Sequence, residues 1–72
     1  MQAREIRTWT TEDLQGRLGE AYRELFALRR ELAMGRLEDH NRISAVKRDV
    51  ARMKTVLRER ELTAELVEEA TQ

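Results

Sequence analysis

Two stripes of apolar residues at helical spacing, one on each side of Gly35, leave this chain of 72 residues little choice of fold. Leu14, Leu18, Ala21, Leu25, Leu28 and Leu32 recur at alternating steps of four and three, and Ile43, Val46, Val50, Met53 and Leu57 follow the same rule. Such steps keep side chains on one narrow helical face, the pattern of an a/d seam. No proline interrupts either stripe, and Glu, Arg, Leu and Ala predominate. No segment shows the alternation or β-branched enrichment of a strand, so the chain reads as all-α. Each stripe must be covered. Two of similar length joined by about five residues specify a long antiparallel two-helix hairpin, coiled-coil-like, each helix about 30 Å long.

Local signals set the expected boundaries. Residues 1–8 are poor in apolar groups and read as a short arm, able to form a turn of helix once docked. Thr10 suits an N-cap with Asp13 at N3, and Trp9 and Leu14 are placed for a hydrophobic staple. Gly16 should cost about 1 kcal/mol relative to Ala, unless the chain makes a close approach there. Gly35 is a natural C′ residue, so the first helix should end near Met34. Asp39 or Asn41 can cap the second helix, with Leu37 near enough to pack under the turn. Tyr22 and Phe26 widen the first seam on one flank and are the expected contacts with a partner protein. Leu62, Leu66 and Val67 stand among Glu61, Glu65, Glu68 and Glu69, a pattern expected to fray when nothing holds it. The organisation expected is a hairpin over 1–61 and an acidic extension over 62–72.

The formal net charge is zero, but its distribution is uneven. Residues 1–41 carry seven bases and eight acids, 42–60 carry seven and two, and 61–72 carry none and four, giving −1, +5 and −4. At about 100° per residue, Lys47, Lys54, Arg58, Arg48 and Arg52 share an arc opposite the second seam, with Glu59 its only acid. A cationic face on a rigid rod attracts polyanions. A solvated coiled-coil face would look the same from composition alone.

Other chemistries are poorly served. There is no Cys, which excludes disulfides and thiolate metal sites. His40 is the single histidine, set in the expected turn without a second imidazole, so no metal site is expected. Asp49 is placed to balance Arg52 three residues on, and no nucleophile accompanies it. No Gly-rich phosphate loop or triad appears, so neither an enzyme nor a cofactor or small-molecule substrate is expected. Without an apolar signal core or a run of spanning length, the chain is expected to be soluble and cytoplasmic, with no membrane partner.

The order of residues adds more. Leu25-Phe26-Ala27-Leu28-Arg29, Leu32-Ala33-Met34-Gly35-Arg36-Leu37-Glu38, Arg42-Ile43 and above all Val46-Lys47-Arg48-Asp49-Val50-Ala51-Arg52-Met53-Lys54-Thr55-Val56-Leu57 closely resemble the bacterial ribosomal large-subunit protein twenty-nine family. The resemblance runs from about Glu5 to Glu61. It implies a structural constituent of the large ribosomal subunit, bound to large-subunit ribosomal RNA near the peptide exit tunnel, beside large-subunit protein twenty-three. It also implies that Arg36, Arg42, Lys47, Arg48, Arg52, Lys54 and Arg58 face RNA. Trp9 and the length of the tail from Leu62 depart from the family's usual form.

A rod with bases on one side suits A-form RNA, whose deep groove excludes side chains and leaves phosphates, 2′-hydroxyls and shape to be recognised. The main rival is a protein-interaction module, a hairpin that dimerises through its leftover apolar flank into a four-helix bundle. A membrane-surface helix is disfavoured, because the second seam is narrow and lacks interfacial aromatics.

Overall fold

A computed structural model describes residues 2–71; Met1 and Gln72, the outermost ends of the expected arm and tail, lie outside the described residues. The chain forms α1 (Ala3–Ile6), α2 (Thr11–Ala33) and α3 (Asn41–Thr71), with no strand among the described residues. At 23 and 31 residues, α2 and α3 are about 34 and 46 Å long. They pack antiparallel into a rod of 55 × 20 × 16 Å.

The helix ends are where the sequence signals put them. Thr10 is extended, with ψ 158°, and its Oγ1 accepts the Asp13 N–H at 3.0 Å, satisfying one of the unpaired donors of the first turn. Trp9 packs on the cluster that contains Leu14, which completes the staple. At the other end Gly35 adopts φ 70° and donates its N–H to the Leu32 carbonyl, while Arg36 donates to the Glu31 carbonyl at 2.8 Å. This is a Schellman closure, which requires a left-handed residue at the position Gly35 holds. Asp39 then opens α3: its Oδ1 accepts the Asn41 N–H and its carbonyl the Arg42 N–H. The connection runs from Met34 to His40, longer than expected, because both the closure and the new cap lie outside helical residues.

The core forms two clusters along the seam. Toward the turn, Leu25, Val46 and Val50 are buried with Leu18, Ala21, Leu28 and Ile43 against them. Toward the open end, Ile6, Leu14, Met53 and Val56 are buried, flanked by Trp9, Leu18, Ala21 and Leu57. Three expectations need correction here. Ile6 belongs to the arm but is completely buried, since α1 lies against α3 and closes the open end. That docking shifts the buried line of α3 sideways, so Val56 is buried and Leu57 only partly so. Leu32, the last residue of the first stripe, is 42% exposed and joins neither cluster, one residue before α2 ends at Ala33.

The fraying expected past Arg60 is also not found, since α3 continues unbroken to Thr71. Its last ten described side chains before Thr71 are all exposed, so propensity and local bonds sustain it. Glu, Leu and Ala predominate there, Arg58 pairs with Glu61 three residues on, and the Thr63 hydroxyl donates to the Glu59 carbonyl at 2.9 Å.

Two glycines of this fold should respond oppositely to one change. Nothing lies within 4 Å of a Cβ built on Gly16, so no close approach requires it and Gly16→Ala should stabilise the chain by about 0.5–1 kcal/mol. Gly35→Ala should destabilise it by about 1–2 kcal/mol, because its φ is strained for any residue with a Cβ. Urea unfolding followed by circular dichroism measures both, and equal signs would contradict the assigned end of α2.

Candidate nucleic-acid interface

The seam divides the surface of α3 into two flanks with different chemistry. On one flank Lys54, Leu57, Arg58 and Leu62 line a shallow open groove together with Leu18 of α2. Lys47 lies on the same side, seven residues before Lys54. Among the described residues neither ammonium meets an acid within salt-bridge distance, and Arg58 pairs with Glu61 at 3.2 Å. On the other flank Arg17, Glu20 and Glu24 of α2 stand across from Asp49, Val46 and Met53. There Arg42 is ion-paired with Glu24 across the hairpin, and Arg52 lies 3.7 Å from Asp49, the balance expected of that acid.

The seven cations singled out in the sequence therefore do not form one uniform surface. Lys47, Lys54 and Arg58 share a flank. Arg48 is exposed on the face of α3 away from α2, where its Nε donates weakly to the Ser44 carbonyl at 3.4 Å. Arg36 is exposed in the turn, with its backbone held by the Schellman closure. Arg42 and Arg52 are exposed too, but each faces an acid. Exposed pairs of this kind are worth about 1 kcal/mol or less, so they set orientation more than stability.

Tyr22 and Phe26 are 44% and 68% exposed on α2. Tyr22 follows Leu18 by four residues and so continues the flank that carries Lys54. Trp9 is only half-buried, but the Arg17 guanidinium covers its ring at 4.1 Å from the centroid. That cation–π contact occupies the face on which a base would stack. His40 is exposed in the turn, and no group of acids and histidines among the described residues could hold a metal ion.

Arg60 was missed in the sequence, where it looked like the last member of the basic run. Its guanidinium donates to the Trp9 carbonyl at 2.7 Å, to the Thr11 hydroxyl at 3.0 Å and to the Arg7 carbonyl at 3.4 Å. Beside it, Arg7 lies 3.6 Å from Glu59. Arg60 thus latches the arm to α3. The signal was its position: four residues after Val56, it lies on the seam side and not on the cationic face.

A slender two-helix rod with open grooves and a lopsided distribution of bases is the frame of a structural binding protein. No helix among its described residues is long and apolar enough to cross a membrane. The chain belongs to the family described as Ribosomal L29 protein, whose sequence model matches residues 4–60. It is 53% identical over 62 residues to the large ribosomal subunit protein uL29 of Exiguobacterium sp., covering 86% of this chain and 92% of that one. The protein of the same description from Thermotoga maritima is 52% identical over 62 residues, covering 86% and 94%. That from Streptomyces coelicolor is 50% identical over 68 residues, covering 94% and 92%. The Streptomyces match leaves only four residues of this chain uncovered, so it runs into the tail that the family model omits. As a member of this family the chain is a structural ribosomal protein and not an enzyme.

If Arg60 is the latch, Arg60→Ala should cost about 1–2 kcal/mol and release the arm first. Amide hydrogen exchange should then accelerate at residues 4–9 while the middle of α2 and α3 stays protected; a uniform change would overturn the assignment.

Proposed function

We propose that the chain binds ribosomal RNA of the large subunit near the mouth of the peptide exit tunnel, beside large-subunit protein twenty-three. The flank of Lys47, Lys54 and Arg58 lies along phosphates, with Arg48 and Arg36 reaching neighbouring strands. The observation that supports this most is the asymmetry of α3. Among the described residues Lys47, Lys54 and Arg58 have no acidic partner across the hairpin, whereas Arg42 faces Glu24 of α2. Lys47 and Lys54, which meet no acid among the described residues, retain their full field for a polyanion, while Arg58 shares part of its charge with Glu61; neutralisation of phosphate by these bases releases counterions. Arg42 and Arg52 join the interface with part of their charge already balanced.

On the same reading Tyr22 and Phe26 meet protein, since both are large hydrophobic side chains exposed on α2. The division at residue 61 is likewise functional: four acids and no base in 62–72 and its boundary residue Glu61 keep the tail off the RNA. Such a particle component is cytoplasmic and needs no cofactor.

Reversal of the partnerless bases tests the proposal. Lys47→Glu with Lys54→Glu should abolish co-sedimentation with large subunits while far-ultraviolet circular dichroism stays unchanged. Arg42→Gln should reduce it far less. Affinity for large-subunit RNA should fall with salt at a logarithmic slope of roughly −0.7 to −0.9 per phosphate contacted. A four-helix bundle formed through Tyr22 and Phe26 would instead hold or tighten as salt rises. Normal incorporation of the double reversal would refute the RNA reading.

A further inference from the structure

An exposed strip of α3, on the side opposite the seam and edged by the groove in which Thr55 and Leu62 lie near Leu18, carries a second pattern that the buried core does not use. Arg48, Ala51, Thr55, Leu62, Leu66 and Glu69 recur there at steps of three, four, seven, four and three. The steps read the same from either end. A palindromic spacing is what a two-fold axis across a helix demands, because an isologous contact pairs each position with its mirror on the other copy. The chemistry is complementary as well as the spacing. Turning a second α3 antiparallel, about a point between Arg58 and Glu59, sets Arg48 across from Glu69, Ala51 across from Leu66 and Thr55 across from Leu62. A cation meets an acid at each end, a small side chain meets a leucine at the two levels on either side of the axis, and Arg58 and Glu59, paired within the chain with Glu61 and Arg7, flank the axis itself.

Every one of these six side chains is exposed, Leu66 to 65% and Leu62 to 43%, and α3 is unbroken through all of them. The Thr55 hydroxyl is already satisfied by the Ala51 carbonyl at 2.9 Å, so burying that position leaves no donor unpaired. The paired length is about 33 Å, three heptads, enough for a short antiparallel coiled coil. One chain cannot make these contacts with itself, because a straight helix holds its acidic end away from its basic middle.

We infer that the free protein pairs with a second copy of itself through this face of α3, each tail lying on the other's basic segment. The pairing stands on the helix alone. Its consequence, that RNA and the second copy exclude one another at Arg48, rests on the proposed function. This dimer differs from a bundle closed by Tyr22 and Phe26, which lie on α2.

Sedimentation equilibrium of the full chain without RNA tests the pairing. At low salt and about 100 µM, dimer should be populated and should dissociate as salt rises. Glu69→Arg puts like charges together twice per dimer and should weaken association roughly tenfold. Arg48→Glu should do the same, and the double swap should restore it, which loss of helix could not mimic. A wild-type chain that stays monomeric, or a Glu69→Arg variant that associates as well as wild type, would overturn the inference. Because Glu69 lies outside the proposed RNA flank, Glu69→Arg should still enter large subunits; the reversals at Lys47 and Lys54 test that reading separately.

Discussion

Everything in this molecule follows from having one seam to bury. Two helices give each other a single line of contact, and the described core is the set of residues on that line, from Leu25 and Val46 near the turn to Leu14 and Met53 near the open end. A globular domain covers its helices on several sides. Here the greater part of each helix circumference faces outward, so the chain can assign separate chemistry to each outward strip. The apolar contact supplies rigidity without consuming any base, and the cationic flank is held straight along α3 at no cost to the core.

The hairpin was legible because its signals are local and periodic. The steps of three and four gave both seams, Thr10 and Asp13 gave the start of α2, and Gly35 gave its end, since only a left-handed residue closes that turn. What escaped was non-local. Ile6 carries no periodic mark, being alone in a polar arm, and its burial depends on Met53 and Val56 some fifty residues later. Val56 and Leu57 are adjacent in sequence, and the docked arm decides which is covered. The continuation of α3 past Arg60 was misjudged because packing was taken as its necessary support. There, strong helix formers and bonds from Thr63 and Glu61 suffice.

The cationic residues stand out as a group in the sequence, but a helical wheel holds only one helix. It shows Arg42 and Arg52 on α3, and it cannot show that Glu24 on α2 stands across from Arg42. Distinguishing bases with acidic neighbours from those without needs both helices in place. Arg60 is the sharpest case. By charge it belongs with its basic neighbours, yet its donors go to two backbone carbonyls and a hydroxyl near the start of the chain, making it a structural clamp.

That clamp imposes an order on synthesis. A ribosome makes a polypeptide from its N-terminal side, so Ile6 is made before Met53, Val56 and Arg60 have been joined. The loop that must close to dock the arm spans nearly the whole body, whereas α2 and the start of α3 meet across a turn of seven residues. The arm, made before its partners on α3, is thus the last of these segments to find its place, and until then its one isoleucine travels uncovered.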